Sequence, residues 1–275
     1  MNVWMADVDQ AELSAASELV QAASSGGNIQ SRVVDVSDPI AVEALAKEVF
    51  ETDKACHILM NNAGIGLGGD AMTEMHIVQK VVSVNTYGPI HGCLAFVPRM
   101  KATQEPGLII NTGSKQGITM PPGNLTYNLS KAALKCYTEG LEHELMKDRM
   151  ENGGKLQAAL LIPGWVNTSI MLKSQRAKAE AAGESFDVSK VFFHEEKPAS
   201  GAWMPNQIVD FMLDELDKGQ FYVVCPDNDV DRETDNLRMT WTMQDITHNR
   251  PPLSRWHPEY KDQFTDYLVK HQKSG

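Results

Sequence analysis

Leu108-Ile109-Ile110-Asn111-Thr112-Gly113-Ser114 is a short apolar run that closes on polar residues. It leads into the breaker-rich loop Met120-Pro121-Pro122-Gly123-Asn124 and then into a helical stretch opening at Tyr127. The run is too short for a buried helix and is bounded by turn residues, so it reads as a strand covered on both faces. The stretch Tyr127–Lys147 carries Leu134, Tyr137, Leu141 and Leu145 on one face, with Thr126 as its candidate N-cap. A strand that passes through a loop into an amphipathic helix is half of a parallel crossover unit. The alternation continues in both directions. Strands are expected at Val3–Ala6, Ser31–Asp35, His57–Met60, Leu108–Asn111, Leu156–Ile162 and Phe221–Cys225. Helices are expected at Gln10–Ala23, Pro39–Thr52, Ala71–Lys101, Tyr127–Lys147 and Pro205–Lys218. The expected fold class is α/β, a Rossmann-like, doubly wound parallel sheet in a single domain spanning residues 1–275.

The same stretch carries the chemistry. Tyr127 and Lys131 stand four residues apart, on one face of the helix, so the ammonium can sit beside the phenol and pull its pKa below the usual value near 10. Tyr127 then becomes an acid or base usable near neutral pH. Ser114, at the end of the strand, can donate a hydrogen bond to a carbonyl oxygen that is gathering negative charge.

Composition narrows the function classes. A net charge of −11 argues against a nucleic-acid surface, which relies on clustered Lys and Arg. Cys56, Cys93, Cys136 and Cys225 are scattered, without C-x-x-C spacing or a nearby His cluster, so no metal site is expected and the thiols read as reduced. There is no membrane-length apolar run and no signal-peptide pattern in the first thirty residues, which makes the cytoplasm the expected location.

Ordered features along residues 1–225 resemble the short-chain dehydrogenase/reductase family. They are Met5-Ala6-Asp7-Val8-Asp9, Val33-Val34-Asp35-Val36, Asn61-Asn62-Ala63-Gly64, Asn85, Asn111-Thr112-Gly113-Ser114, Tyr127 to Lys131, and Pro163-Gly164-Trp165-Val166-Asn167-Thr168. The resemblance implies hydride transfer between a nicotinamide cofactor and a small alcohol or ketone, with Asn85, Ser114, Tyr127 and Lys131 as the catalytic set. It also implies adenosine contacts from Asp7, Asp35 and Val36, and backbone approach at Asn62, Ala63 and Gly64. Around the nicotinamide it places Tyr127, Lys131, Val166 and Thr168. A substrate-covering segment is implied at residues 165–203, as is assembly into a homodimer or homotetramer. Residues 226–275, with Arg250-Pro251-Pro252-Leu253-Ser254-Arg255-Trp256, form an extension expected to pack on the body, with a lid as the other reading.

One family feature has no counterpart here. Dinucleotide folds place an acid roughly 20 residues after a glycine-rich turn. Asp7 looks like that acid, but only six residues precede it, so the first strand, glycine turn and first helix are expected to be missing. Gly64-Ile65-Gly66-Leu67-Gly68-Gly69 satisfies the G-x-G-x-x-G pattern, yet no acid lies between Glu74 and Glu105 to serve the ribose. Asp7 favours NAD(H) over NADP(H), because its carboxylate repels a 2′-phosphate and no Arg or Lys follows within twenty residues. Two alternatives accompany the dehydrogenase reading. One is a truncated, inactive homologue acting at most as a scaffold, and the other is an epimerase or dehydratase on the same fold.

Overall fold

A computed structural model of the chain describes residues 1–188, 191 and 197–272. Six strands and ten α-helices are present among them. The helices and strands divide between two compact units, each built from three separate stretches of chain. The first unit comprises Met1–Ala63, Ser83–Asn111 and Tyr137–Ala158; the second comprises Gly64–Val82, Thr112–Cys136 and Ala159–Gly275.

In the first unit, β1 (Val3–Asp7) and β2 (Ile29–Val33) pair in parallel, joined by α1 (Gln10–Ala23). The strand β2 begins two residues before its expected start and stops earlier. The Val34 N–H still donates to the Asp7 carbonyl at 3.0 Å, but Asp35 then turns the chain by accepting from the Ser37 N–H at 2.9 Å and the Ser37 hydroxyl at 2.7 Å. Such a side-chain turn competes with continued strand pairing. The helix α2 (Pro39–Asp53) opens with Pro behind the Asp38 cap, and its stripe Val42, Ala46 and Val49 is buried. That stripe joins Cys93, Phe96, Val97 and Met100 of α4 (Gly88–Thr103) in one core with Ile109 and Leu156. Trp4 Nε1 donates to Asp53 Oδ2 at 2.6 Å and fastens β1 to the end of α2.

The strands β3 (Ile58–Asn61), β4 (Gly107–Thr112), β5 (Leu156–Ile162) and β6 (Tyr222–Val224) form a second parallel sheet in that order. The two sheets are separate: β1 pairs with β2, and β3 pairs with β4. Alternate residues of β3 are affected unequally. Leu59 packs against the core, whereas Ile58 and Met60 are 56% and 41% exposed. The strand β5 is buried along nearly its whole length, as a strand covered on both faces should be.

The expected helix Ala71–Lys101 is broken into α3 (Met75–Val82), a π-helical turn at Ser83–Tyr87, and α4. A π-turn inserts one residue into the helical ladder without disturbing the apolar pattern, so it leaves no periodic signature. The second unit contains α5 (Gln116–Thr119), the start of α6 (Leu125–Asn152), α7 (Ile170–Ala182), α8 (Pro205–Asp217), α9 (Arg232–Thr247) and α10 (Lys261–His271). The helix α6 starts two residues before Tyr127, which places Thr126 inside its first turn.

Candidate active site

The strand β4 delivers Ser114 to a fixed place. Just beyond the strand, the Gly113 N–H donates to the Leu161 carbonyl at 2.7 Å, and a side chain at Gly113 would meet Leu160 at 3.1 Å. Ser114 then opens the short helix α5: its Oγ accepts from the Gln116 N–H at 3.2 Å and its carbonyl accepts from the Gly117 N–H at 3.0 Å. The Ser114 hydroxyl is also hydrogen-bonded to the Tyr127 phenol. One turn along α6, Lys131 is only 4% exposed. Its Nζ donates to the Thr112 carbonyl at 2.7 Å and stands 5.8 Å from the centre of the Tyr127 ring. The expected convergence of Ser114, Tyr127 and Lys131 is therefore present within the second unit.

Their electrostatics differ from the sequence expectation. Burial pushes the Tyr127 phenol above its ordinary value, with the Ser114 hydrogen bond pulling the other way. Burial also lowers Lys131 to about 8. The expected depression of Tyr127 by Lys131 is overturned because both groups are withdrawn from water, and desolvation disfavours each charged form.

Close backbone packing sets this geometry. A Cβ on Gly117 would lie 2.6 Å from the Lys131 carbonyl carbon, so α5 can approach α6 only with glycine there. Gly117→Ala is expected to cost about 1–3 kcal/mol, as overpacking does, and urea denaturation would measure the loss.

The other expected residues are distributed as follows. Asn85 lies in the π-turn of the first unit and is fully buried, a placement common for functional π-turns. Asp7 ends β1, where its Oδ1 accepts from the Asp9 N–H at 2.8 Å, and Asp35 lies beyond β2; both are exposed. The Val36 carbonyl lies 2.9 Å from His91 Nδ1. Asn62, Ala63 and Gly64 are exposed just past β3. The later glycines of that run are explained by packing within the second unit: a Cβ on Gly68 would overlap Asn124, and one on Gly69 would overlap Thr73. Val166 bridges to Trp203, and Thr168 is half-buried nearby in sequence.

Two arrangements were not foreseen. Asn167, buried, accepts from the Ala199 N–H at 2.8 Å and donates to the Ala199 and Ala202 carbonyls at 3.2 and 3.3 Å, closing the base of the 165–203 segment. Within that segment the irregular stretch expected from sequence contains α7, which carries no broad apolar stripe to announce it; residues 189, 190 and 192–196 lie outside the described residues. Asn61 Nδ2 donates to Asn111 Oδ1 at 2.8 Å, and Asn111 Nδ2 to Thr138 Oγ1 at 3.0 Å, a buried polar chain in the first unit. The extension, described to residue 272, packs through Ser254. Its Oγ accepts from Trp241 Nε1 at 2.8 Å and donates to Asp245, while Arg250 covers the Trp241 ring at 3.8 Å.

Among the described residues no helix is long and apolar enough to cross a membrane. The chain is 28% identical to a short chain dehydrogenase/reductase from Burkholderia phymatum solved in complex with NAD, with a TM-score of 0.77 over 92% of this chain and 87% of that one. It is also 28% identical over 173 residues to a 3-ketodihydrosphingosine reductase of Bacteroides thetaiotaomicron, covering 62% of this chain and 61% of the relative. A 1-deoxy-11-beta-hydroxypentalenate dehydrogenase of Streptomyces arenae is 29% identical over 187 residues, covering 66% and 64%. The chain thus spans less than two thirds of the length of these two curated relatives. The short chain dehydrogenase family matches residues 1–179, so the match begins at the first residue and lends no support to a missing first strand. With well over half of its length matched and the parallel strands in place, the chain belongs to the short-chain dehydrogenase family.

Proposed function

We propose that the protein is an NAD(P)-dependent oxidoreductase that interconverts an alcohol and a ketone. The single observation that carries this reading is the hydrogen-bonded Ser114–Tyr127 pair with buried Lys131 on the next helical turn. A bound nicotinamide would supply or accept the hydride. Tyr127 donates its phenolic proton to the carbonyl oxygen in reduction and recovers it in oxidation. Ser114 donates a hydrogen bond to the same oxygen as its charge grows. Lys131 carries positive charge beside the phenol, and Asn85 serves proton supply. The 165–203 segment covers the substrate.

Exposed carboxylates at Asp7 and Asp35 fit an adenosine, which offers hydroxyl and amino donors. NAD is the favoured dinucleotide. Arg32, the register partner of Ala6 on the adjoining strand, is held by Glu48, which leaves it poorly placed for a 2′-phosphate. Val166 and Thr168 would meet the carboxamide side, and Asn62, Ala63 and Gly64 would bring backbone to the cofactor. Asp7→Ala is expected to weaken NADH binding by about ten- to a hundred-fold, the worth of a charged hydrogen bond, while NADPH binding changes less. Fluorescence titration with each reduced cofactor would measure it.

The pyrophosphate is served poorly by α1, whose N-terminus is already capped by Asp9 Oδ1 accepting from the Ala11 and Glu12 N–H groups at 3.0 and 3.1 Å. A second carboxylate caps α2. We therefore also propose that a further strand, glycine turn and helix enter between β1 and β3 to hold the pyrophosphate. The separation of the two sheets and the exposure of Ile58 and Met60 support this. The same observations favour the second reading, in which the chain as it stands binds no dinucleotide and is inactive. A dehydrogenase screen with NAD and NADP, run on the chain and on its in-frame extended coding sequence, separates the two. Activity only in the extended form supports the strand, activity in both forms removes the need for it, and activity in neither defeats the oxidoreductase reading.

A further inference from the structure

Lys115, next to Ser114, reaches away from the tyrosine into a buried ion cluster. Its Nζ lies 3.3 Å from Asp227 Oδ2 and 2.5 Å from Asp235 Oδ2, with side-chain exposures of 14%, 6% and 4% for the three groups. Asp227 follows β6, and Asp235 lies in the first turn of α9 in the extension. Asp227 Oδ2 also accepts from the Trp165 N–H at 3.1 Å. The Lys115 N–H donates to the Pro163 carbonyl at 3.3 Å. A Cβ on Gly164 would stand 2.5 Å from Asp227 Oδ2 and 2.7 Å from Lys115 Nζ, so glycine at 164 is what admits the cluster. All of these groups belong to the second unit.

A lysine bridging two buried carboxylates is an expensive arrangement unless every member is held, because each charge has been withdrawn from water. Here burial raises the Asp235 carboxyl pKa while Lys115 pulls it back. The side chain joins three otherwise separate pieces of chain: the Ser114 turn, the Pro163-Gly164-Trp165 turn and α9. Ser114 has no other long-range side-chain anchor on its C-terminal side within the described bonds beyond its contact with Tyr127 and α5.

We propose that Lys115 is a positioning residue and that α9, through Asp235, sets the placement of Ser114 against Tyr127. The extension then forms part of the catalytic framework. This deepens the oxidoreductase reading and rests on it for its kinetic consequence, whereas its structural consequence can be read without turnover.

The test labels tyrosine Cζ with carbon-13 and identifies the Tyr127 resonance by its loss in Tyr127→Phe. In Lys115→Met and in Asp235→Asn the Tyr127 resonance is expected to move, while that of Tyr222, exposed on β6, stays. Lys115→Arg is expected to restore the Tyr127 position at least in part. Where a ketone substrate is found, kcat is expected to fall between about ten- and a hundred-fold in Lys115→Met, with KM little changed, as a displaced catalytic group would produce. Asp235→Asn retains one lysine and one carboxylate, so its net charge balance keeps it foldable and it decides the matter if Lys115→Met does not fold. A folded Asp235→Asn protein with an unmoved Tyr127 resonance would overturn the proposal. Absence of turnover in the wild-type protein with a shifted resonance in the variants would instead defeat the oxidoreductase reading and leave the positioning role standing.

Discussion

Tyr127→Phe is expected to reduce ketone turnover by about 10²–10⁴-fold, the range associated with loss of a positioned acid or base. The substitution removes one hydroxyl and keeps the ring in its buried place, so Lys131 retains its hydrogen bond to the Thr112 carbonyl. It deletes the hydrogen bond with Ser114. Binding of NADH, where it occurs, should be nearly unchanged, because Asp7 and Asp35 lie in the other compact unit and do not depend on the phenol. Steady-state kinetics beside a fluorescence titration would separate the two effects. Turnover close to wild type would remove Tyr127 from the mechanism.

Lys131→Met should combine a loss of activity with a gain in stability. Burial lowers the Lys131 pKa to about 8, against about 10.5 in an unfolded chain. Below pH 8 the lysine is charged in both states, and the folded protein bears the full cost of burying it. Between pH 8 and 10.5 the unfolded chain binds more protons than the folded one, so this group's contribution to stability rises with pH across that window. Methionine fills similar space without the charge, and at pH 7 it removes a penalty on the order of 3 kcal/mol, less the hydrogen bond to Thr112. The variant is therefore expected to melt at or above the wild-type temperature near neutral pH and to lose the stability gain between pH 8 and 10.5. Alcohol oxidation, which needs the phenolate that a nearby ammonium favours, should fall by about 10²-fold and lose its dependence on a group titrating near pH 8. Thermal melts across pH and a pH–rate profile would check both. A strongly destabilised variant at neutral pH would contradict the assignment of Lys131 as a buried charge retained for function.

The parts of the fold that sequence patterning conveyed are those governed by local composition. The strand β5 and helix α1 begin and end where their apolar and capping residues indicate. Ser114, Tyr127 and Lys131 were recognisable from spacing because helical periodicity places the last two on one face and strand β4 carries the first to the same end of the sheet. The π-turn around Asn85 was hidden, since its flanking helices share an uninterrupted run of apolar residues. The helices α7 and α9 were hidden for a different reason: both are rich in polar residues, and α9 is held by buried contacts of Trp241 and Asp245 rather than by a broad stripe. The sign of the Tyr127 shift depends on how far two side chains are withdrawn from water, which spacing does not encode. Lys115 was overlooked because its partners lie 112 and 120 residues further along the chain.

The account turns on whether Tyr127 hands a proton to the oxygen of a carbonyl that receives hydride at its carbon. The most direct measurement offers a panel of ketones with NADH deuterated at the transferring position of C4 and follows the label by mass spectrometry. The account predicts one deuterium on the carbinol carbon with the wild-type sequence and at most a trace with Tyr127→Phe. Equal label transfer by the two proteins would contradict it.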